Sequence, residues 1–241
     1  MYNGNNQLTG VEVDGKTVNY TYYPSGLRKS KNDGLAATTF ILDSGYVVTE
    51  QTVVGGQTAR ANYIYGANLL ASSASGGRQY YLHNGHGDVV QLTNTSGVAV
   101  KSYDYDAFGV EKTLDIADLN PFRYCGEYWD VETSTYYLRA RSYSPGTGRF
   151  LSEDPIRDGT NWYAYCGGNP ILWVDPSGYK SEYYLSIFSE PDDEHSFVVI
   201  ENRSKNKITV GVYTLGSGQS VTIGTYGNKK WHNGIFYESV Y

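Results

Sequence analysis

The sequence predicts an all-β protein: an array of antiparallel β-hairpins followed by a small β-rich C-terminal domain. Three observations support this fold class. The 241 residues include 25 Tyr and 28 Gly, which suits aromatic strands joined by glycine turns. Segments with alternating side chains recur between short turn sequences. No window of a dozen residues has the apolar period of a helix.

Asp14-Gly15 marks the first hairpin, because it stands between the alternating segments Val11–Val13 and Thr17–Tyr20. Both turn residues of a type I′ hairpin need positive φ, which Asp-Gly supplies. Residues 1–102 are therefore expected to form a run of hairpins. Further turns of this kind are Asp43-Ser-Gly45, Gly55-Gly56, Gly76-Gly77 and Asn94-Thr-Ser-Gly97.

A Tyr-x-Tyr pattern repeats along the array. Single tyrosines at positions 103, 124, 143 and 163 are spaced 19–21 residues apart, which is about the length of two strands with their turns. The repeat therefore predicts stacked hairpins. The pairs are Tyr20/Tyr22, Tyr63/Tyr65, Tyr103/Tyr105 and Tyr163/Tyr165, each soon followed by a glycine.

The segment Thr135–Tyr143 is predicted to form one strand with two faces. One face can stack guanidinium groups on phenol rings, and we interpret it as a source of sheet stability rather than as a ligand site. That face carries Tyr137, Arg139, Arg141 and Tyr143, and the other carries Tyr136, Leu138, Ala140 and Ser142.

The composition changes near Gly178. Segments 196–201, 207–213 and 220–224 alternate as strands, but the tyrosine period is gone. We place a domain boundary after residue 179, which leaves a tail of 62 residues (180–241), near the lower size limit for an independent core. The tail is predicted to be a small antiparallel sheet with turns at Lys205-Asn206 and Gly216-Ser-Gly218.

Charge, hydropathy and cysteine content exclude several classes of protein. The net charge of −6 disfavours a general nucleic-acid binder, and no apolar run is long enough for a membrane span. The N-terminal residues lack the basic and apolar regions of a signal peptide, so the chain carries no address for the general secretory route. Cys125 and Cys166 allow one disulfide at most, and free thiols are favoured.

Ordered motifs fill the stretch between Tyr103 and Gly178. They are Tyr103-Asp-Tyr-Asp-Ala-Phe-Gly109, Phe122-Arg-Tyr-Cys-Gly126, Asp130-Val-Glu-Thr133, Tyr136-Tyr-Leu-Arg-Ala-Arg141, Gly148-Arg-Phe-Leu-Ser-Glu-Asp-Pro-Ile156, Asn161-Trp-Tyr-Ala-Tyr165, Asn169-Pro170 and Asp175-Pro-Ser-Gly178. This stretch resembles the Rhs repeat-associated core of YD-repeat proteins. Residues 1–102 resemble degenerate YD repeats, and residues 180–241 match no part of the core.

The resemblance implies a division into YD repeats (1–102), the core (103–179) and a variable C-terminal domain (180–241). Members of this family are large secreted or cell-surface proteins, including bacterial wall-associated proteins and toxin subunits. Their repeats wind into a hollow β-shell, which the core closes at one end. The variable domain is often a toxin, and in many members the core is an aspartyl autoprotease that cuts the chain after the Asp-Pro-x-Gly motif.

The resemblance assigns a candidate catalytic site to Asp154, Asp175 and Arg149. Two carboxyl groups that share a proton can hydrolyse a peptide bond, and the arginine could hold a carboxylate or polarise the scissile carbonyl. The implied cleavage lies between Tyr179 and Lys180. The alternative is structural, since Asp-Pro is an ordinary turn opening and Asp154 would then cap a turn.

Some features depart from the family pattern. Tyr179 stands where Leu is usual, Ser144 stands where Asp is common, and the chain has too few repeats for a complete shell.

His83-Asn-Gly-His-Gly-Asp88 places two imidazoles beside a carboxylate. We interpret it as turn chemistry, because a glycine-rich loop fixes no ligand face. No metal and no cofactor is assigned.

The sequence leaves three functions open. The first is the terminal part of an Rhs protein that cages its own C-terminal domain and releases it by autoproteolysis, with an immunity protein as a further partner. The second is a non-enzymatic surface module whose exposed Tyr and Trp contact cell-surface glycans. The third is an inactive, truncated toxin tail.

An open Tyr-rich sheet also has unpaired edges. We therefore expect the protein to form homo-oligomers or to need the rest of the shell.

Overall fold

The computed structural model describes residues 1–157 and 159–179 in full, and beyond them the backbone of strands between residues 183 and 236. This part of the chain is nearly all β, which confirms the predicted fold class. Its helical elements are two short 3₁₀ turns, Tyr124–Gly126 and Cys166–Gly168. No helix within these ranges is long and apolar enough to cross a membrane.

The first ten strands form one antiparallel sheet in which each strand pairs with the next along the chain. Consecutive pairing is expected of linked hairpins, because short turns keep sequence neighbours adjacent. The strands are β1 (Gly10–Val13), β2 (Lys16–Tyr22), β3 (Arg28–Asn32), β4 (Ala36–Asp43), β5 (Tyr46–Val54), β6 (Gln57–Tyr65), β7 (Leu69–Ala74), β8 (Gly77–His83), β9 (Val89–Thr93) and β10 (Ala99–Ser102).

The β1–β2 turn has the geometry that its sequence predicts. Asp14 and Gly15 have φ angles of +51° and +74°, and Val13 pairs with Lys16 across the two-residue loop. These positive φ angles are those of the predicted type I′ hairpin. The turns at Ser44-Gly45 and Gly55-Gly56 also have positive φ at both positions.

Four shorter strands form a second antiparallel sheet, again in chain order. They are β11 (Tyr128–Asp130), β12 (Thr135–Leu138), β13 (Arg141–Ser144) and β14 (Arg149–Phe150). The prediction of one continuous strand over 135–143 is wrong, because Arg139 and Ala140 form a turn and Arg139 has a φ of +60°. Tyr136 consequently lies opposite Tyr143 across the β12–β13 pair.

Aromatic side chains join the two sheets. Phe40 and Tyr63 on the large sheet meet Tyr128 and Phe122 edge to face, with ring centroids 5.3 and 4.8 Å apart. Such pairs contribute about 0.5–1.5 kcal/mol beyond the apolar area that they bury. A second cluster packs around the small sheet and contains Tyr124, Trp129, Tyr136, Leu138, Tyr143, Phe150, Tyr165 and Cys166.

A buried ion pair also joins the sheets. Arg28 on β3 is 3% exposed, and its Nη1 donates to Oδ2 of Asp130 on β11, which is 1% exposed. Lys31 Nζ lies 3.4 Å from the other oxygen of Asp130. The Arg28 Cζ lies 4.2 Å from the centre of the Tyr137 ring. The guanidinium therefore has both a carboxylate and an aromatic face in place of water.

Beyond residue 183, the described strands pair only with one another. β15 (Tyr183–Glu190), β16 (His195–Asn202), β19 (Gln219–Gly224) and β20 (Ile235–Phe236) form one antiparallel sheet, and β17 (Ile208–Val210) and β18 (Tyr213–Leu215) form a two-stranded one. The turns predicted at Lys205-Asn206 and Gly216–Gly218 lie outside the described residues.

Replacing Asp130 by Asn should destabilise the fold by about 3–5 kcal/mol, because Arg28 would stay charged and buried without its carboxylate. Urea unfolding followed by tryptophan fluorescence measures the change. Glu153→Gln is the matched control. Its ion pair with Arg157 is exposed, so its loss should cost less than about 0.5 kcal/mol. Equal stability of D130N and the wild type would contradict this role of the ion pair.

Candidate functional site

Asp154 lies in the loop after β14 and is 7% exposed. Its backbone N–H donates to the Trp162 carbonyl at 3.0 Å, and its Oδ1 accepts the N–H of Ile156 at 2.9 Å. This is an Asx turn, so the turn-capping alternative describes the local structure correctly. The cap uses one oxygen of the carboxylate and therefore does not exclude a chemical role.

Asp175 is 3% exposed and opens the loop that ends at Gly178. Its Oδ1 accepts the Gly178 N–H at 2.9 Å, and the N–H and hydroxyl of Ser177 at 3.3 Å each. Burial raises the pKa of Asp175, and the positive charge of Arg141 together with these donors offsets only part of the rise. Asp175 therefore keeps its proton to a higher pH than a surface aspartate does.

Gly178 allows this loop to lie directly on the β12–β13 turn. Its φ is +71°, and a Cβ there would collide with the Leu138 carbonyl oxygen and lie 2.9 Å from the Arg141 amide nitrogen. In the same contact, the Ala140 N–H donates to the Ser177 carbonyl at 3.1 Å. Glycine is thus required at this position, and the docked loop accounts for the turn that the sequence did not predict.

Arg141 joins the two aspartate loops. Its Nη1 donates to the Trp162 carbonyl, the partner of the Asp154 N–H, at 3.0 Å. Its Nη2 lies 3.6 Å from Oδ2 of Asp175. Burial lowers the pKa of Arg141, and the charges of Asp154 and Asp175 both oppose that shift. The buried guanidinium therefore contacts the Asp175 carboxyl group directly, and it shares the Trp162 carbonyl with the backbone of Asp154.

The same guanidinium contacts the predicted cleavage point. Arg141 Nε donates to the Gly178 carbonyl, and Nη2 donates to the Tyr179 carbonyl at 3.3 Å. The Tyr179 N–H donates to Oγ of Ser177 at 3.2 Å, so the peptide that precedes the predicted cleavage point is also held. Lys180, the second residue of the predicted cleavage point, lies outside the described residues.

Arg149 lies elsewhere. It is exposed on β14, its Nη2 donates to Asn161 Oδ1 at 3.3 Å, and its Cζ lies 5.8 Å from the Tyr163 ring centre. The two contacts that the sequence expected of Arg149, with a carboxylate and with the carbonyl before the cleavage point, belong to Arg141. The signal for Arg141 was present in the Tyr-Tyr-Leu-Arg-Ala-Arg motif, but the one-strand interpretation placed it on a sheet face.

Comparison with known proteins places these features in a family. A matched segment of 193 residues is 33% identical to the tRNA3(Ser)-specific nuclease WapA of Bacillus spizizenii and covers 74% of this chain. A segment of 194 residues is 29% identical to the double-stranded DNA deaminase toxin A of Burkholderia cenocepacia and covers 75% of this chain. The chain belongs to the Rhs family of polymorphic-toxin proteins. No family model matches it.

Solved structures with the same fold include an Rhs-type complex. The crystal structure of TcdB2-TccC3-TEV matches 74% of this chain with a TM-score of 0.60 and 22% identity. The Photorhabdus luminescens Tc holotoxin pore matches 80% with a TM-score of 0.62 and 20% identity. This Rhs chain spans 8% of the WapA protein, 13% of the deaminase toxin and 10% of each of these two solved chains. The chain is therefore short beside these relatives.

Gly178→Ala should displace the Asp175–Gly178 loop from the β12–β13 turn, because both the positive φ and the added Cβ are unfavourable there. The hydrogen-exchange protection factor of the Ala140 amide should fall at least about tenfold. Gly146→Ala is the control, since a Cβ there meets no atom within 4 Å. If Ala140 exchanges equally in G178A and the wild type, the loop does not depend on this glycine.

Proposed function

We propose that this Rhs chain is the terminal part of a longer toxin, in which residues 1–179 help to enclose an effector, residues 180–241, and cut it free between Tyr179 and Lys180. One observation carries the proposal. The Arg141 guanidinium donates to the Tyr179 carbonyl at 3.3 Å and lies 3.6 Å from the Asp175 carboxyl. The same guanidinium thus contacts the carbonyl of the bond to be cleaved and a buried carboxyl group.

The proposed reaction is hydrolysis of one peptide bond by two carboxyl groups. Asp154, as a carboxylate, takes a proton from water, whose oxygen attacks the Tyr179 carbonyl carbon. Arg141 stabilises the negative charge that develops on the carbonyl oxygen. Asp175, as a carboxylic acid, gives its proton to the Lys180 nitrogen as the C–N bond breaks. The products are a carboxylic acid at Tyr179, which returns a proton to Asp175 and becomes a carboxylate, and a free amine at Lys180.

Asp175 is assigned the role of the acid in this scheme. Burial raises the pKa of Asp175, which favours its protonated form. Arg141 takes the role of polarising the carbonyl, because its guanidinium contacts both Asp175 and the Tyr179 carbonyl, whereas Arg149 is exposed and bonds to Asn161. A catalytic role for Arg149 stays a prediction from the sequence.

Strand pairing supports the division at residue 179. The strands from β15 to β20 pair only among themselves in the described part of the chain, as expected if residues 180–241 are a separate cargo. The relatives named as a nuclease, a deaminase toxin and the toxin Tse5 of Pseudomonas aeruginosa support an effector context, extracellular or cell-surface delivery, and an immunity protein as partner. The longer protein would complete the shell that ten strands begin.

The glycan-binding alternative has less support. It needs tyrosines exposed along the strands, but Tyr20, Tyr63, Tyr103 and Tyr165 are buried, and the other member of each Tyr-x-Tyr pair is partly buried. Their rings pack against the core instead of forming a stacking surface. The repeating tyrosines are therefore better explained as the packing that joins the sheets.

Self-cleavage should depend on Asp154, Asp175 and Arg141, and not on Arg149. The purified wild type should show the masses of fragments 1–179 and 180–241, whereas D154N, D175N and R141K should show the full mass or cleave at least about 100-fold more slowly. R149K is the matched control and should cleave like the wild type. Intact-mass spectrometry measures all five chains.

Two outcomes would contradict this prediction. An uncut wild-type chain of full mass rejects self-cleavage altogether. Normal cleavage in R141K with loss in R149K returns the carbonyl-polarising role to Arg149. Thermal unfolding of each variant is recorded in parallel, so that loss of cleavage in a folded chain is distinguished from misfolding.

The cleavage rate should fall as the pH rises, because Asp175 acts as the acid. Asp175 must be protonated, so the rate falls as the pH rises through its pKa, which lies above the ordinary value of 3.8. Chains recovered in denaturant and refolded across a pH series give the profile by mass spectrometry. A rate that rises continuously with pH would contradict the two-carboxyl scheme.

A further inference from the structure

A cluster outside the aspartate site brings together three side chains that can bind a metal ion. His86 and Asp88 lie in the turn between β8 and β9, and Cys125 lies in the 3₁₀ turn Tyr124–Gly126. Their ligand atoms all lie within 4.8 Å of one another. The Nδ1 of His86 is 2.9 Å from Oδ1 of Asp88 and 3.7 Å from Sγ of Cys125.

Hydrogen bonds hold these ligand atoms in place. Oδ1 of Asn84 accepts the N–H groups of His86 and Asp88, each at 3.0 Å, and Nδ2 of Asn84 donates to Oδ2 of Asp88 at 2.8 Å. From the core, the Cys125 N–H donates to Oδ1 of Asp88 at 2.9 Å. The sequence interpretation held that a glycine-rich loop fixes no ligand face. In the structure, these hydrogen bonds fix the positions of the ligand atoms in the loop.

The geometry does not suit a cysteine nucleophile. A Cys–His–Asp relay uses one imidazole nitrogen for the thiol and the other for the carboxylate, whereas Nδ1 of His86 faces both groups here. Burial, and then the charge of Asp88, raise the pKa of the Cys125 thiol well above its usual value, so the metal-free thiol is not activated. Both cysteines are free thiols, and Cys125 is thus available as a ligand.

The other imidazole nitrogen of His86 lies inside the protein, near backbone carbonyls. Nε2 of His86 is buried and has no close hydrogen-bond partner among the described residues. The backbone carbonyls of Pro170 and Trp173 lie near enough to interact with the ring. A histidine that binds metal through one nitrogen commonly directs the other N–H at a carbonyl.

We propose that His86 Nδ1, Asp88 Oδ1 and Cys125 Sγ bind one Zn²⁺, with water as the fourth ligand. Zinc accepts mixed nitrogen, oxygen and sulfur ligands, and tetrahedral bonds of about 2.0–2.3 Å separate the ligand atoms by roughly 3.3–3.6 Å. The separations of 2.9 and 3.7 Å are close to these values, and the third, between Asp88 and Cys125, is within 4.8 Å, so binding would draw the three atoms together around the ion. His86 and Cys125 also line a cavity of about 280 Å³, which has room for the water.

The proposed ion has a structural consequence. It connects the β8–β9 turn of the ten-stranded sheet to the core, since Asp88 and Cys125 are 37 positions apart in the chain. It would add a polar link at a different place from the Arg28–Asp130 ion pair. The site shares no residue with the proposed cleavage machinery, so either proposal can fail without the other.

Zinc added to the untagged, chelator-treated chain should bind at one ion per chain and raise the unfolding temperature. Cobalt(II) in its place should show thiolate-to-metal absorption and the visible bands of a tetrahedral site. Cys125→Ser should remove the thiolate absorption and weaken zinc binding by at least about 100-fold. Cys166→Ser is the matched control, because Cys166 is a buried free thiol outside the cluster, and it should keep both properties.

Other outcomes would overturn the proposal. Thiolate absorption that survives in C125S, or zinc binding of equal strength in His86→Ala, assigns the ion to other residues. Less than one zinc per wild-type chain rejects the site. If C125S does not fold, alkylation of the wild type decides the question. Zinc should protect Cys125 from iodoacetamide, as read from peptide masses, and unchanged alkylation of Cys125 rejects the site.

Discussion

The burial of guanidinium groups is the constraint on which the rest of this structure depends. A guanidinium stays charged and has five N–H donors, so it can be buried only where carboxylates and carbonyls converge on it. Arg28 meets this requirement with Asp130 between the two sheets. Arg141 meets it with carbonyls from two separate loops, at Trp162 and Gly178. The positions of these loops therefore follow from the arginine that they cover.

The abundance of tyrosine in place of phenylalanine has a related cause. A buried tyrosine ring packs like phenylalanine, but its hydroxyl needs an acceptor. Tyr124, Tyr136 and Tyr143 donate to the carbonyls of three successive residues, 107, 109 and 108, at 2.9, 3.1 and 2.8 Å. Three rings of the aromatic cluster thus hold one irregular loop in place. The regular spacing of tyrosines along the chain does not indicate these acceptors. The loop that contains them precedes all three tyrosines in the sequence.

Local features of the fold could be predicted because neighbouring residues encode them. Asp14-Gly15 needs only its own backbone preferences to form a type I′ turn. The β12–β13 turn is different, since Arg139 and Ala140 are not turn residues and the loop at Gly178 docks there from far along the chain. The same kind of long-range contact brings Cys125 to His86. No local pattern contains such contacts, so the sequence pattern placed Arg141 on a sheet face and indicated only a turn for the histidine loop.

In the proposed cleavage site, one aspartate would serve both turn formation and chemistry. In Asp175, Oδ1 accepts the donors that close the loop, while Oδ2 faces Arg141. The turn therefore fixes the direction of the carboxyl group, and fixed direction is what a catalytic group requires. The docked loop also buries the carboxyl group, and burial raises its pKa. An Asx turn at the surface would have neither property. Gly178 allows the loop to pack on the β12–β13 turn, and this packing orients and buries the Asp175 carboxyl group. The proposed cleavage of the same loop requires both.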